Sequence, residues 1–261
     1  MQISHAMKRI LSHAGERRLS VYSAGLGYYL MLALFPLLLF AAAFAGLLGV
    51  PRLVREALDG MPLPGDVIRL LSGYLDSLAS GDRLWTALAG LGLSLYAFAR
   101  ASRLMMDFAE GSDRVRSGLR RQAVSFLFAL VLLAAVITLL AGIVLGGTII
   151  DLRFGTKGGT LLRALRYFAA GGLMLFLLML LYRFASRRPA RLAAVLAAAS
   201  FAMGASLAFS WGFSLYVENF ARYSLIYGSL AAFIVLSVWA YAIALILLVG
   251  FLICEAADAG A

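Results

Sequence analysis

The sequence predicts an all-α, polytopic membrane protein with six transmembrane helices and short amphipathic surface helices. Of its 261 residues, 63% are hydrophobic and only 14% are charged, and the mean hydropathy is +0.92. A soluble domain has about 25% charged residues, so too little polar surface is present to cover a water-soluble globule. The apolar residues are also gathered in long runs, as bilayer-crossing helices of about 20 residues require.

Six apolar runs follow one another along the chain. They cover residues 21–49, 84–99, 122–150, 167–182, 192–217 and 223–254. The second and fourth are shorter than the roughly 17–25 residues of a typical crossing. These two runs can span the bilayer if the aliphatic parts of the flanking arginine side chains lie in the lipid. We therefore expect residues 21–254 to form one six-helix transmembrane domain.

The first run contains a proline. Pro36 removes a backbone hydrogen bond to the carbonyl of Leu32 and pushes against that carbonyl. Since each unsatisfied polar group in lipid costs several kcal/mol, neighbouring helices or a water-lined cavity must satisfy it. We expect Pro36 to kink the helix and to place Tyr28 and Tyr29 on a different axis from the residues that follow.

Three shorter segments are predicted outside the bilayer. Residues 1–20 are predicted to form a cytoplasmic amphipathic helix, and residues 255–261 a short C-terminal tail. Residues 51–82 are predicted to form an amphipathic hairpin on the extracytoplasmic face, because apolar residues recur at helical spacing in its second half. That apolar stripe consists of Val67, Leu70, Leu71, Tyr74, Leu75 and Leu78.

The distribution of Lys and Arg predicts the orientation. Fourteen basic residues lie in the N-terminal segment and in the loops after the second and fourth runs, against nine on the other side. Because loops rich in Lys and Arg stay in the cytoplasm, both termini are predicted to be cytoplasmic.

The net charge of +10 raises the question of a nucleic-acid partner. The basic residues lie at the ends of the apolar runs, where they set topology and meet anionic lipid headgroups. No basic and aromatic domain lies outside the runs. Membrane lipids are therefore the predicted partners, and nucleic acid is not. Homo-oligomerisation and envelope-protein partners stay open.

Two stretches resemble signatures of a known family. SAGLGYYLMLALFPLLL at residues 23–39 resembles the first-helix signature of the YihY/BrkB family of bacterial inner-membrane proteins. YGSLAAFIVLSVWAYAIALILLVG at residues 227–250 resembles the family's Tyr-Gly start, Trp-x-Tyr centre and Leu-x-Gly end. Ala33 stands where the family has a hydroxyl. Leu252 stands where it has an acidic residue, with Glu255 one turn later. The resemblance implies a bacterial inner-membrane location and a role suspected to be transport or envelope maintenance.

Family members have also been labelled ribonuclease BN, but the sequence argues against an enzyme. Hydrolysis of RNA needs a metal cluster or an acid–base pair. The only histidines, His5 and His13, are eight residues apart with no carboxylate motif. No metal-ligand or nucleotide-binding pattern is present, so neither an activity nor a cofactor is predicted.

Polar and aromatic residues near the run ends, together with Pro36, Trp239 and Tyr241 inside the first and last runs, are the candidates for a substrate path. Arg100, Arg103 and Asp107 are spaced i, i+3 and i+7 where the second run ends. They either set topology, or form a cytoplasmic gate or a phosphate-binding fork, since Arg binds phosphate through two parallel hydrogen bonds. The full candidate set is Tyr28, Tyr29, Pro36, Arg100, Arg103, Asp107, Glu218, Asn219, Arg222, Tyr227, Trp239, Tyr241 and Glu255.

Two ridges of small residues run along the fifth apolar run, and each can bring helix backbones close together. The pattern predicts that this helix is packed on two faces at the centre of the bundle, and the alternative is a hinge or sliding surface. One ridge consists of Gly204, Ala208 and Gly212, and the other of Ala194, Ala198, Ala202, Ser206 and Ser210.

Two functions remain compatible with these residues. The first is a transporter-like protein that handles a lipid or another amphipathic substrate, in a cavity between the first, second, fifth and sixth helices. The alternative is a non-transporting scaffold for envelope maintenance. No run has Asp, Glu or Lys near its middle, where ion-coupled pumps carry such groups.

Overall fold

A computed structural model describes residues 18–47, 83–110, 167–183, 190–219 and 229–259, with residue 73, part of 123–138 and residue 185. Apart from a turn at Arg18 and the two residues before the fourth helix, every described residue is helical, and these ranges contain no strand. The predicted all-α class is confirmed. Most of the predicted N-terminal helix 1–20, of the predicted hairpin 51–82 and of the third apolar run 122–150 lies outside the described residues.

Five helices have described bounds. In chain order they are α1 Leu19–Leu47, α2 Arg83–Glu110, α3 Tyr167–Arg183, α4 Leu192–Asn219 and α5 Ser229–Ala259. Within the described residues, three segments are long and apolar enough to cross a bilayer, namely Leu19–Phe40, Leu192–Val217 and Phe233–Asp258. The shorter α3 is also apolar.

Helix α2 extends further than its apolar run. The run ends before Arg100, but the helix continues to Glu110. The physical reason is that the buried face does not end with the run, since Ala101, Met105 and Phe108 are all buried beyond it. The chain therefore gains packing on one side of α2 while charged residues lie on the other.

Helix α1 packs against both α2 and α5, and α5 in turn packs against α4. Three aromatic rings connect these helices at one end. The ring centroids of Tyr22 and Phe108 are 5.5 Å apart and those of Phe108 and Phe251 6.2 Å, both in edge-to-face geometry. The start of α1 and the ends of α2 and α5 thus lie together, at what we call the aromatic end of the bundle.

The closest approach of two helices occurs at the proline. A Cβ placed on Gly90 of α2 would lie 2.7 Å from the carbonyl oxygen of Pro36 and 2.8 Å from the nitrogen of Phe40. Small buried residues continue this face of α2, including Ser94 and Ala97. A neighbouring helix therefore covers the backbone at Pro36. The partner of the Leu32 carbonyl stays a prediction.

A second glycine brings α1 against α5. A Cβ on Gly27 would lie 3.0 Å from both the Cα and the nitrogen of Tyr241. One turn further along α1, the Ser237 hydroxyl approaches the Met31 sulfur at 3.3 Å. These two contacts define the register of the antiparallel pair.

Helix α3 is tied to α5 by a buried phenol. Tyr182 is fully buried, and its hydroxyl donates a hydrogen bond to the carbonyl oxygen of Leu247 at 3.1 Å. The phenol lies directly over Gly250, whose missing side chain leaves room for it. The end of α3 is therefore also at the aromatic end.

The small-residue ridges of α4 behave differently from each other. Ala194, Ala198 and Ala202 are buried, so close packing along this ridge is confirmed. The other ridge is exposed, and a Cβ on Gly204 or Gly212 would meet nothing within 4 Å. The prediction of packing on two faces is therefore wrong for the described part of the bundle. Small residues are apolar enough to face lipid, so their presence does not by itself identify a contact.

Candidate functional site

A tyrosine of α1 and an arginine of α2 meet on one side of the bundle. The Nε–H of Arg100 donates a hydrogen bond to the hydroxyl oxygen of Tyr29 at 3.3 Å. The Cζ of the same guanidinium is 5.7 Å from the centroid of the Tyr29 ring, within range of a cation–π interaction. Both side chains are half-buried. Two candidates that are 71 residues apart in the sequence are thus brought together.

This pair lies between the ends of both helices. Tyr29 is ten positions after the first residue of α1, an apolar helix that continues to Leu47. On α2, ten residues separate Arg100 from the last residue of the helix, which corresponds to about 15 Å of helix. The contact between Gly25 and Leu104 lies between the pair and the Tyr22–Phe108 contact of the aromatic end. Helices α1 and α2 therefore stay in contact beyond the end of the second apolar run.

Four polar or aromatic residues form one stripe on α2. Tyr96, Arg100, Arg103 and Asp107 follow each other at intervals of four, three and four residues, which places them on one face. Tyr96 is exposed and the other three are half-buried. Tyr96 and Asp107 both lie near enough to act on Arg100 electrostatically. We call these four residues the α2 stripe.

The surface beside the stripe is open at two further positions. Tyr28 of α1 is 60% exposed, and its ring meets that of Tyr29 edge-on with the centroids 5.3 Å apart. Gly92, one turn before Tyr96, is exposed, and a Cβ there would meet nothing within 4 Å. Tyr28 therefore faces outward while Tyr29 faces α2.

The aromatic candidates of α5 lie elsewhere. The indole N–H of Trp239 donates a hydrogen bond to the Ser210 hydroxyl at 3.1 Å, which connects α5 to α4. Tyr241 presents its backbone to Gly27 of α1. Trp239 thus has a packing partner within the bundle, and it is not part of the α2 stripe.

Comparison with known proteins decides the family. The sequence matches the family described as Virulence factor BrkB over residues 10–258. The chain belongs to the BrkB family. No solved structure matches it. The resemblance found in the first and last apolar runs is confirmed, and the match together with the apolar helices makes this BrkB-family chain a membrane protein.

Charged groups at the aromatic end of the BrkB-family chain have a structural role. The Asp258 carboxylate accepts a hydrogen bond from the backbone N–H of Arg191 at 2.8 Å. The carbonyl of Arg191 accepts the first helical bond of α4, from Val195. A carboxylate at a helix N-terminus is favourable because the helix dipole is positive there. Asp258 was not among the sequence candidates, since its partner is 67 residues away.

The remaining candidates are distributed as follows. Glu255 is half-buried in α5, one turn before Asp258. Glu218 and Asn219 are the last two residues of α4, and their side chains are not among the described ones. Arg222 and Tyr227 lie wholly outside the described residues. The sequence analysis did not single out Tyr96 or Gly92. Tyr96 could have been found, because it lies seven residues before Arg103 and so on the same helix face.

The chemistry available to this BrkB-family chain is recognition of an anion. Arg100 presents a planar cation with several N–H donors, at a level where the surrounding helices are apolar. Among the residues that the structure describes, no group of three or more His, Cys, Asp or Glu could hold a metal ion.

Proposed function

We propose that this BrkB-family protein is a six-helix protein of the bacterial inner membrane that moves a lipid or another amphipathic substrate between leaflets. The observation that carries the proposal is the contact between Arg100 and Tyr29 inside the helix pair, ten positions before the last residue of α2. Ionisable side chains within transmembrane helices are costly, so they mark substrate pathways more often than they serve packing.

The described helix ends support a sixth crossing. Helices α2 and α3 both end at the aromatic end, so the chain between Glu110 and Tyr167 has to return to the opposite end. Helical positions between 123 and 138 fit this path. The hydroxyl of Ser125 approaches the sulfur of Met106 at 3.6 Å, and Leu133 belongs to the same buried cluster as Leu37.

The orientation rests on charge. The loops at the aromatic end hold the larger share of Lys and Arg, so this end is proposed to be cytoplasmic, together with both termini. Reporter fusions to the two ends test this directly. Activity of a cytoplasmic reporter at both ends supports the orientation, and activity of a periplasmic reporter at either end contradicts it.

A lipid substrate fits the shape of the bundle better than a soluble one. Polar groups on the α2 stripe are half-buried or exposed, so a headgroup can travel along them while its acyl chains stay in the bilayer. The described apolar spans have no Asp, Glu or Lys before the last four residues of Phe233–Asp258. Movement is therefore proposed to be downhill and not ion-coupled.

The test is movement of a fluorescent lipid in liposomes that contain the purified protein, measured as the fraction that dithionite quenches. We expect more than half of the label to be quenched, because both leaflets become accessible, and about half in protein-free liposomes. Arg100→Ala should lower the rate, whereas Arg191→Gln removes the same charge from the aromatic end and should not. If liposomes that contain the intact protein show the same quenching as protein-free liposomes, the proposal is contradicted.

The alternative is a scaffold for envelope maintenance, acting through envelope-protein partners or a second copy. Dense packing favours it, since Gly27 and Gly90 leave no space between helix backbones. Complementation of a deletion strain separates the two functions. A scaffold is rescued by the Arg100→Ala protein, whereas a transporter that depends on Arg100 is not.

A further inference from the structure

The guanidinium of Arg100 has donors that no described residue accepts. Its Nε–H is bonded to Tyr29, and an arginine has four more N–H groups on its terminal nitrogens. No hydrogen bond from these groups to a described residue is present. An arginine that only anchored α2 would extend toward the aromatic end and the lipid surface. Instead, the hydrogen bond to the Tyr29 hydroxyl keeps the Arg100 side chain beside α1.

The α2 stripe forms a continuous route between the aromatic end and this depth. Seven residues separate Asp107 from Arg100, or about 10 Å of helix, and Tyr96 lies about 6 Å further. Gly92 continues the line, and no atom lies within 4 Å of the position its Cβ would take. A headgroup moving along the stripe thus meets polar side chains first and open space afterwards.

The charge of the stripe selects the ligand. Arg100 and Arg103 oppose one carboxylate, Asp107, so the stripe has a net charge of +1. A phosphodiester carries one negative charge, and its two free oxygens match the paired donors of a guanidinium. The neighbouring tyrosine hydroxyls add neutral donors. We propose that the α2 stripe binds the phosphate of an anionic phospholipid, with Arg100 as the deepest contact.

A membrane lipid is favoured over free inorganic phosphate on physical grounds. A free anion would have to shed its water to reach the level of Arg100, which costs several kcal/mol even after protein relaxation. A phospholipid keeps its acyl chains in the bilayer and moves only its headgroup. Exposed apolar side chains border the stripe on both helices, among them Leu93 and Phe35. This inference rests on the proposed function and specifies the substrate class.

The test is native mass spectrometry of the purified protein after exchange into mixed micelles of phosphatidylglycerol and phosphatidylcholine. The wild-type protein should retain phosphatidylglycerol in preference to phosphatidylcholine. Arg100→Gln should reduce that preference about tenfold, the loss expected for a hydrogen-bonded charge. Arg103→Gln should reduce it less. Arg191→Gln is the matched control, since it removes an exposed arginine outside the stripe, and should leave the preference unchanged.

Two further arms keep the test decisive. Arg100→Lys preserves the charge without the paired donors, so its preference for phosphatidylglycerol should lie between those of the wild type and Arg100→Gln. This intermediate preference also controls for misfolding. Inorganic phosphate should not displace the retained lipid. Displacement by inorganic phosphate would overturn the lipid assignment, and an unchanged preference in Arg100→Gln would overturn the site. Lipid movement that persists in a variant without the preference would overturn the site and leave the proposed function standing.

Discussion

The contact of Gly90 with the Pro36 backbone makes a strong prediction about stability. In Gly90→Ala, the new methyl group would lie 2.7 Å from the Pro36 oxygen and 2.8 Å from the Phe40 nitrogen, where ordinary contact begins at 3.4 Å. Both neighbours are backbone atoms that cannot rotate away. The two helices must therefore separate by about 0.7 Å at this point.

The size of the loss follows from that separation. A gap of about 0.5–1 Å forfeits a quarter to a half of the dispersion energy of each affected atom pair. The affected pairs extend along the small buried residues of α2, among them Ala87 and Ala97. Packing of this kind drives helix association in lipid, so we expect Gly90→Ala to cost about 1–3 kcal/mol, as overpacking does elsewhere.

Gly92→Ala is the matched control, because it lies on the same helix with nothing within 4 Å of its Cβ. Both substitutions change helix propensity by the same amount, about 1 kcal/mol in favour of alanine in water. The difference between the two variants therefore isolates the contact. The assay is the free energy of unfolding in a titration of mixed micelles with SDS. Equal stability of the two variants would refute the close approach of α1 and α2.

Three further substitutions test contacts between the other helices. Tyr182→Phe removes the hydrogen bond to Leu247 while keeping the ring, and should lower the free energy of unfolding by about 1 kcal/mol; an unchanged value contradicts the bond. Asp258→Asn weakens the cap on Arg191, and should destabilise by about 0.5–1 kcal/mol, with faster hydrogen exchange confined to the start of α4. Trp239→Phe breaks the bond to the α4 serine and should cost about 0.6 kcal/mol, a typical value between membrane helices; a cost above 3 kcal/mol would show that the indole does more than pair.

The positions of the helices could largely be predicted from apolar runs. Helix α4 begins at Leu192, where its run begins, and α1 begins within two residues of the predicted start. This works because a helix in lipid must be apolar along its whole length. The same property hides the contacts, since a face toward lipid and a face toward another helix are equally apolar.

The site illustrates what the sequence could not supply. The i, i+3, i+7 spacing placed Arg100, Arg103 and Asp107 on one face of a helix, and the structure keeps them there. The pairing of Arg100 with Tyr29 depends on the register of α1 against α2, which Gly90 and Pro36 determine by direct contact. Neither Arg100 nor Tyr29 indicates that register by itself. The position of Arg100 beside Tyr29 therefore follows only from the folded structure.

The depth of Arg100 is the claim on which both proposals depend. Val238 of α5 is 50% exposed and adjoins Ser237, which contacts Met31 two residues from Tyr29. A spin label on a cysteine at position 238, in a Cys254→Ser background, therefore reports the bilayer depth of this level without altering the pair. The account predicts that the label in liposomes collides with oxygen far more often than with a water-soluble nickel chelate. A label that collides mainly with nickel would place Arg100 at the membrane surface and contradict the account.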